Sequence, residues 1–261
     1  MEENPEEKFT ELIASKTKEN PAFIHIDILG LAKIAKTNSE RLNKFCSLLN
    51  KISDKKGNIC IPAFSLSYTK NEVYNIGVTP STGIGAVCEH TRKNFPGRRT
   101  VDALFSYVIT GEKISRKHFE TDDYESFGKG SVIEEVFRMN GYVCSIGGVF
   151  KNSTEIHYIE KLLEVKYRQD KTFSGKMIDL EGKSHDQIIT YFCKNFDYNY
   201  WYDFKNLEND LRRDGLMETF KAEDYPLFIS GIKFRTLYDY IEQKIKKDSS
   251  YFIKDLKDGR I

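Results

Sequence analysis

Long hydrophobic runs are absent from this sequence, and so is an excess of charge of either sign. No segment approaches the roughly 18 consecutive apolar residues of a membrane-spanning helix, and the first residues, Met1 to Pro5, lack the positive start and apolar stretch of a signal peptide. The chain has 40 Lys and Arg residues against 39 Asp and Glu residues, which argues against a nucleic-acid binder. We therefore expect a cytoplasmic protein that binds neither membrane nor nucleic acid.

Motifs for disulfides, metals and hydrolase nucleophiles are also missing. The five cysteines are odd in number and scattered, without a C-x-x-C pair, which argues against a disulfide framework and a structural zinc site. No H-x-x-x-H pair and no G-x-S-x-G sequence occurs, so neither a helix-borne metal site nor an α/β-hydrolase serine is indicated. We expect no bound metal, and small buried thiols in a reducing compartment.

Strands and helices are predicted to alternate along most of the chain. Short β-branched or apolar segments predict strands over residues 22–28, 59–64, 104–109 and 142–146. Helical spacing and capping residues, such as Ser39, predict helices over 5–18, from 38 to the break at Gly57, and over 84–93, 131–139, 152–164 and 232–247. This alternation indicates an α/β layered fold with helices on both faces of a sheet.

The composition and the predicted structure of the sequence change near Tyr167. Residues 171–180 and 188–196 are predicted to be extended, and the run from Phe192 to Phe204 is unusually aromatic. No internal repeat or linker-like block separates this part from the rest. We therefore predict a single domain over residues 1–261, in which residues 167–261 form an elaborated C-terminal part.

The segment from Gly147 to Glu160 is the most informative for chemistry. A predicted strand ends in two glycines, and a predicted helix capped by Asn152-Ser153 follows, the kind of turn at which open α/β sheets place active sites. His157 and Glu160 lie three residues apart on one helix face, so the carboxylate can orient the imidazole as a general base. The alternative is a half-buried structural histidine with an unrelated surface glutamate.

Other segments give weaker signals. Gly128-Lys129-Gly130 precedes a predicted helix and could bind an anion, although a tight turn explains it as well. Arg92, Arg98 and Arg99 form a cluster that suits phosphate groups or a solvated surface. The aromatic run, Tyr200 and Trp201 included, could stack on a sugar or base ring or fill the core.

Six segments of the chain occur in an order that resembles the aminoglycoside 3-N-acetyltransferase family, also called the antibiotic N-acetyltransferase family. The last of them is the most specific, because the family carries a histidine followed by a glutamate three residues on. The segments that carry the resemblance are His25 to Ile28, Ile61 to Ser65, Thr79 to Gly83, Arg99 to Ser106, Phe127 to Ser131, and Asn152 to Glu160.

The resemblance implies a three-layer α/β/α fold with a central mixed sheet and transfer of an acyl group from coenzyme A to an amine. It assigns His157 as the base that deprotonates the attacking amine, Glu160 as its orienting partner, and Ser65 as a group near the thioester carbonyl. The binding residues that it implies for coenzyme A are Asp27, Ile28 and Leu29 for the pantetheine arm, with Arg99 and Ser106 for the phosphate end.

The sequence departs from the family pattern where many relatives carry a His-Pro pair, since Asp102-Ala103 stands there. We expect a different acceptor pocket, with Asp102, Tyr200 and Trp201 as candidate acceptor-binding residues. The near-neutral charge and the arginines favour a nucleotide-linked amino sugar of surface-polysaccharide synthesis over a polycationic aminoglycoside.

Several alternatives remain open at the level of sequence. The chain could acetylate an aminoglycoside, or could bind coenzyme A or a sugar nucleotide without catalysis. The acyl donor is expected to be acetyl-CoA or a 3-hydroxyacyl-CoA, which acts as a co-substrate rather than a permanently bound cofactor. The sugar, the ring position and the oligomeric state, a homodimer included, stay undetermined.

Overall fold

A computed structural model describes residues 4–95, 98–120, 122–148 and 150–255. Its helices are α1 (Pro5–Thr17), α2 (Asn38–Asp54), α3 (Ala86–Asn94), α4 (Val132–Arg138), α5 (Ile156–Leu162), α6 (Lys205–Arg213) and α7 (Phe234–Lys247). Its strands are β1 (Ala22–Ile26), β2 (Ile59–Pro62), β3 (Tyr74–Asn75), β4 (Tyr107–Thr110), β5 (Tyr124–Glu125), β6 (Tyr142–Ile146), β7 (Arg168–Ile178), β8 (Ser184–Lys194), β9 (Tyr200–Tyr202), β10 (Glu218–Lys221), β11 (Phe228–Lys233) and β12 (Ile253–Asp255).

Six of these strands form a central mixed sheet in the order β10-β11-β6-β1-β2-β4. Strand β1 pairs in parallel with β2 and β6, whereas β4, β10 and β11 join in antiparallel pairs. Strands β1, β2 and β6 are fully buried and carry near-continuous apolar runs, as parallel strands covered on both faces do. The predicted central mixed sheet is confirmed.

Alternation along β1 distributes apolar side chains to two cores. Ile24 and Ile26 pack in one cluster with Phe9 of α1, Phe45 of α2 and residues of α3, and Phe23 packs in the other cluster with residues of α4, α5 and α7. A strand whose successive side chains point to opposite faces requires cover on both of them. The predicted α/β/α layering is therefore confirmed.

Helix starts follow local capping chemistry. The side chain of Thr37 accepts a hydrogen bond from the Glu40 amide while the Glu40 carboxylate accepts one from the Thr37 amide, so α2 is capped by Thr37 and not by the predicted Ser39. Helix α5 begins at Ile156, after a short 3₁₀ turn over Phe150–Asn152, and no side chain caps it. The predicted cap at Asn152-Ser153 was thus placed too early.

The C-terminal part contributes more structure than the sequence predicted. Strands β7 and β8 form a long antiparallel hairpin, flanked by β3 and β5 in a second, four-stranded sheet. Helix α6 and strands β9, β10, β11 and β12 were not predicted, and the last helix begins at Phe234 because β11 occupies the residues before it. Residues 256–261 of the predicted domain lie outside the described residues.

Two glycines bring together the turns that follow β1 and β6. A Cβ atom on Gly30 would lie 2.7 Å from the Gly147 amide nitrogen, and Gly147 itself has a φ of +83°. Both positions therefore require glycine. Their contact fixes the carboxyl ends of two parallel strands side by side, the edge at which α/β sheets bind ligands.

None of the helices in the described residues has the length and apolar composition that crossing a membrane requires.

Candidate functional site

His157 and Glu160 form a hydrogen-bonded pair on one face of α5. The His157 Nδ1 atom lies 2.6 Å from the Glu160 Oε2 atom. The Glu160 side chain is completely buried, whereas the His157 side chain retains 17% of its exposure. The geometry places a carboxylate behind an imidazole that still reaches solvent.

Three further side chains surround the Glu160 carboxylate. The Tyr167 hydroxyl donates to Oε1 at 2.9 Å, and the Tyr202 hydroxyl donates to Oε2 at 3.2 Å. The Arg168 guanidinium lies 3.7 Å from Oε2 and donates to the Tyr202 oxygen at 2.6 Å. A buried carboxylate is stable when its charge is paired and its oxygens accept hydrogen bonds, and both conditions hold here.

This environment sets the protonation state of each group. Burial lowers the pKa of His157 below its ordinary value of 6.5, and the nearby Arg168 charge lowers the pKa further, against the opposing effect of Glu160. Burial and the Glu160 charge raise the pKa of Tyr167 and Tyr202, so both phenols keep their protons and act as donors. The Glu160 carboxylate can only accept a hydrogen bond from the Nδ1 atom of His157. The neutral imidazole therefore carries its proton on Nδ1, and its Nε2 atom can accept a proton.

A cleft of about 430 Å³ opens beside His157. The Tyr202 and Phe204 rings are stacked with centroids 4.7 Å apart and an interplanar angle of 17°, and each contacts the imidazole ring. The residues that line the cleft are Asn152, Ser153, Thr154, His157, Tyr202, Asp203 and Phe204. We refer to it below as the His157 cleft.

A second cavity, of about 520 Å³, adjoins the His157 cleft along Asn152 and Thr154, which line both. It lies at the carboxyl ends of β1 and β2 and reaches the first turn of α3. Gly83 and Gly85, with φ of +75° and +92°, precede that helix and leave its entrance open. We call this second space the strand-end cavity.

The residues predicted for the pantetheine arm lie at the strand-end cavity only in part. Asp27 and Ile28 line it, and the Asp27 carboxylate also accepts a hydrogen bond from the Leu29 amide at 2.7 Å. Leu29 is not among the lining residues, and its side chain is 71% exposed. The structure therefore brings two of the three residues to one cavity.

Ser65, Arg99 and Ser106 are buried and bonded to the protein itself. The Ser65 hydroxyl donates to the Ala103 carbonyl at 2.7 Å. The Arg99 guanidinium donates to the Ser106 hydroxyl, to the Ala63 carbonyl and to the Thr79 carbonyl. Arg99 is only 2% exposed, and its contacts join the segments that carry Ala63, Thr79 and Ser106. None of Ser65, Arg99 and Ser106 lines the strand-end cavity.

The candidate acceptor residues are not brought together. Asp102 is buried and accepts hydrogen bonds from the amides of Leu104 and Phe105, and burial raises its pKa. Tyr200 is 1% exposed in the core, whereas Trp201 points outward and is 57% exposed. Neither Tyr200 nor Trp201 lines the His157 cleft, whereas Tyr202 and Phe204 of the same aromatic run do.

Sequence reasoning also missed Arg168 and a second histidine–carboxylate pair, His25 and Glu155. The signal for Tyr202 was present, because it lies in the aromatic run already singled out. For Glu155 the signal was its place inside the most informative segment, two residues before His157. Among the described residues, no group of three or more His, Cys, Asp or Glu side chains could hold a metal ion.

Comparisons with known proteins give one family from the sequence and a shared fold from solved structures. A family model described as aminoglycoside 3-N-acetyltransferase matches residues 23–246. Apo AAC(3)-IVa superposes with a TM-score of 0.65 at 17% identity, over 97% of this chain and 92% of that one. AAC-IIIb with CoASH gives 0.63 at 14% identity over 92% and 95%, and sisomicin-bound AAC-VIa gives 0.69 at 15% over 92% and 97%.

Proposed function

Because the chain belongs to the aminoglycoside 3-N-acetyltransferase family, we propose that it transfers an acetyl group from acetyl-CoA to an amine of an aminoglycoside. The observation that carries this proposal is the His157 imidazole, held through Nδ1 by the buried Glu160 carboxylate and facing a cleft. An imidazole in this state is the usual form of a general base at neutral pH. The His157 cleft adjoins the strand-end cavity at Asn152 and Thr154, so a substrate in each space can meet the other there.

The proposed reaction is a direct transfer. The amine nitrogen attacks the thioester carbonyl carbon, and the Nε2 atom of His157 takes the proton that the nitrogen loses. The carbon–sulfur bond then breaks, its electron pair goes to sulfur, and coenzyme A leaves as the thiolate, which takes up a proton to give the thiol. Glu160 stabilises the imidazolium that forms, while Tyr167, Tyr202 and Arg168 hold the carboxylate in place.

We assign the strand-end cavity to the acyl donor. Its walls include Asp27 and Ile28 and the first turn of α3, and the amide groups and dipole at a helix N-terminus favour an anion such as a phosphate. The thioester carbonyl would then lie near Asn152 and Thr154, between the two spaces. The roles implied for Ser65, Arg99 and Ser106 stay predictions, and their internal hydrogen bonds argue for structural roles.

The acceptor favoured from the sequence, a nucleotide-linked amino sugar, loses its main argument in the structure. The arginines invoked to hold a diphosphate are engaged within the protein. Arg92 pairs with Glu89, Arg98 donates to the Gly111 carbonyl, and Arg99 braces two loops. Among the superposed structures, AAC(3)-IVa is named as an aminoglycoside acetyltransferase and has a complex with gentamicin, and AAC-VIa has one with sisomicin. We therefore propose an aminoglycoside acceptor.

A thiol-release assay tests the proposal. The protein and acetyl-CoA are incubated with one acceptor at a time, taken from a panel of aminoglycosides and of nucleotide amino sugars. We expect thiol release with at least one aminoglycoside, and a loss of roughly 10²–10⁴-fold in turnover for His157→Ala, the usual scale for one general base.

Two results would contradict the proposal. Release with nucleotide amino sugars alone would restore the other acceptor class. Thermal stabilisation by coenzyme A, with no thiol released from acetyl-CoA in the presence of any acceptor, would indicate a binding protein that retains the fold.

A further inference from the structure

A second histidine–carboxylate pair lies at the end of β1. The His25 Nε2 atom is 2.7 Å from the Glu155 Oε2 atom, and the Tyr107 hydroxyl donates to Oε1 at 3.0 Å. Glu155 is completely buried and the His25 side chain is 8% exposed. Glu155 immediately precedes α5, so this pair and the His157 pair are attached to the same segment of chain.

Only one of the two ring nitrogens of His25 is bonded within the described part of the chain. Among the residues that the structure describes, His25 is the one basic side chain within ion-pair distance of Glu155. A buried carboxylate needs a compensating charge, and the pair is neutral when the imidazole carries a proton on both nitrogens. The Nε2 proton then binds Glu155, whereas Nδ1 has no hydrogen-bond partner in the described part of the chain.

The position of His25 separates it from the general base. His25 lines the strand-end cavity, whereas His157 lines the cleft, and Asn152 and Thr154 form the wall between the two spaces. Acyl transfer to an amine requires two proton movements, one away from the nitrogen and one onto the leaving sulfur. The His157 imidazole, on the acceptor side, is placed for the first, and a group in the strand-end cavity is placed for the second.

We propose that His25 is the general acid that protonates the sulfur of the leaving thiolate, with Glu155 as its positioning residue. This inference rests on the proposed acetyl transfer. As the nitrogen–carbon bond forms, the carbon–sulfur bond breaks and its electron pair goes to sulfur, which takes the Nδ1 proton of His25. The amine proton goes to His157. Exchange of one proton from His157 to solvent and one from solvent to His25 restores both residues.

Leaving-group dependence tests this role. A general acid matters for an alkyl thiol, whose pKa is near 8.5 in cysteine, and matters little for an aryl thiol that is ionised at neutral pH. Turnover of His25→Gln and wild type is therefore compared with acetyl-CoA and with the acetyl ester of 4-nitrothiophenol. We expect His25→Gln to lose about 10–10²-fold with acetyl-CoA, the low end of general acid catalysis, and less than about threefold with the aryl ester. Glu155→Gln should show the same pattern.

A matched control is available in His118, another buried histidine, whose Nε2 atom lies 2.7 Å from the Glu135 Oε2 atom. His118 lines neither the His157 cleft nor the strand-end cavity. His118→Gln should alter stability alone, with the same ratio of rates for the two thioesters as wild type.

Equal losses with both thioesters, or no loss in a folded His25→Gln protein, would overturn the proposal. If neither variant folds, a series of alkyl and aryl acetyl thioesters with the wild type decides, because a steep dependence on thiol pKa would mean that no acid assists departure. The absence of transfer from any thioester by the wild type would instead contradict the proposed function.

Discussion

Replacing Glu160 with glutamine removes one charge from the candidate site while keeping the shape of the side chain. The amide can still accept a hydrogen bond from His157 Nδ1 at the observed 2.6 Å, so orientation of the imidazole is largely retained. What disappears is the negative charge that stabilises an imidazolium during proton transfer. The substitution therefore separates the electrostatic role of Glu160 from its positioning role.

The size of the effect follows from the geometry. Two unit charges about 4 Å apart interact by roughly 4 kcal/mol at an effective dielectric constant of about 20. Only part of this energy is lost, because the charge on the imidazole is incomplete in the transition state. We expect kcat/KM to fall by about 10²-fold, or about 2.7 kcal/mol at 1.36 kcal/mol per tenfold change. Arg168 also loses its buried ion-pair partner, which should cost stability by about 3–5 kcal/mol.

The pH profile gives the sharper assay. The pKa of His157 lies below 6.5 because burial, and then Arg168, outweigh the carboxylate, so wild-type kcat/KM should fall only as pH drops through a value under 6.5. Glu160 favours the protonated imidazole, and its removal should move this acidic limb to still lower pH while the plateau declines. Glu135→Gln, in the pair with His118 outside both cavities, serves as the control. An unchanged plateau, or a limb displaced to higher pH, would refute the assigned role of Glu160.

Three further predictions concern the surroundings of the site. Tyr202→Phe keeps the ring against His157 but removes one donor to Glu160, so steady-state kinetics should show a fall in kcat of about 5-fold, equivalent to one hydrogen bond of about 1 kcal/mol, with unchanged KM for acetyl-CoA. Arg99→Ala removes the donor to the Thr79 carbonyl and leaves the Ala63 carbonyl with the Ser106 hydroxyl alone, so chemical denaturation should show a loss of about 1–3 kcal/mol; a rise in KM for acetyl-CoA in a fully stable variant would instead support a phosphate contact. Gly30→Ala forces a Cβ to within 2.7 Å of the Gly147 amide nitrogen and should destabilise by about 1–3 kcal/mol, and an unchanged melting temperature would contradict the tight packing of the two turns.

The layered fold could be predicted from the sequence because its central strands have a recognisable local pattern of apolar residues. Strands β1, β2 and β6 are apolar on both faces, and capped helices lie between them. Strands β10 and β11 carry no such pattern, since they are set by pairing across the sheet. Gly231 illustrates this dependence, because a Cβ atom there would lie 2.5 Å from the Cys144 sulfur of β6. A glycine that reads as a strand breaker is required by a neighbour 87 residues away in sequence (231 − 144).

The same limit divides the candidate site. His157 and Glu160 were predictable because a spacing of three residues on a helix fixes their proximity whatever the rest of the chain does. Tyr202 and Arg168 come from β9 and β7, and only tertiary structure brings them to the carboxylate. A sequence also cannot say whether a guanidinium faces solvent or backbone carbonyls, and for Arg99 the carbonyls prevail. Charge counts along a chain therefore predict an acceptor poorly, because the charges that matter are those left unpaired once the loops have closed around their own arginines.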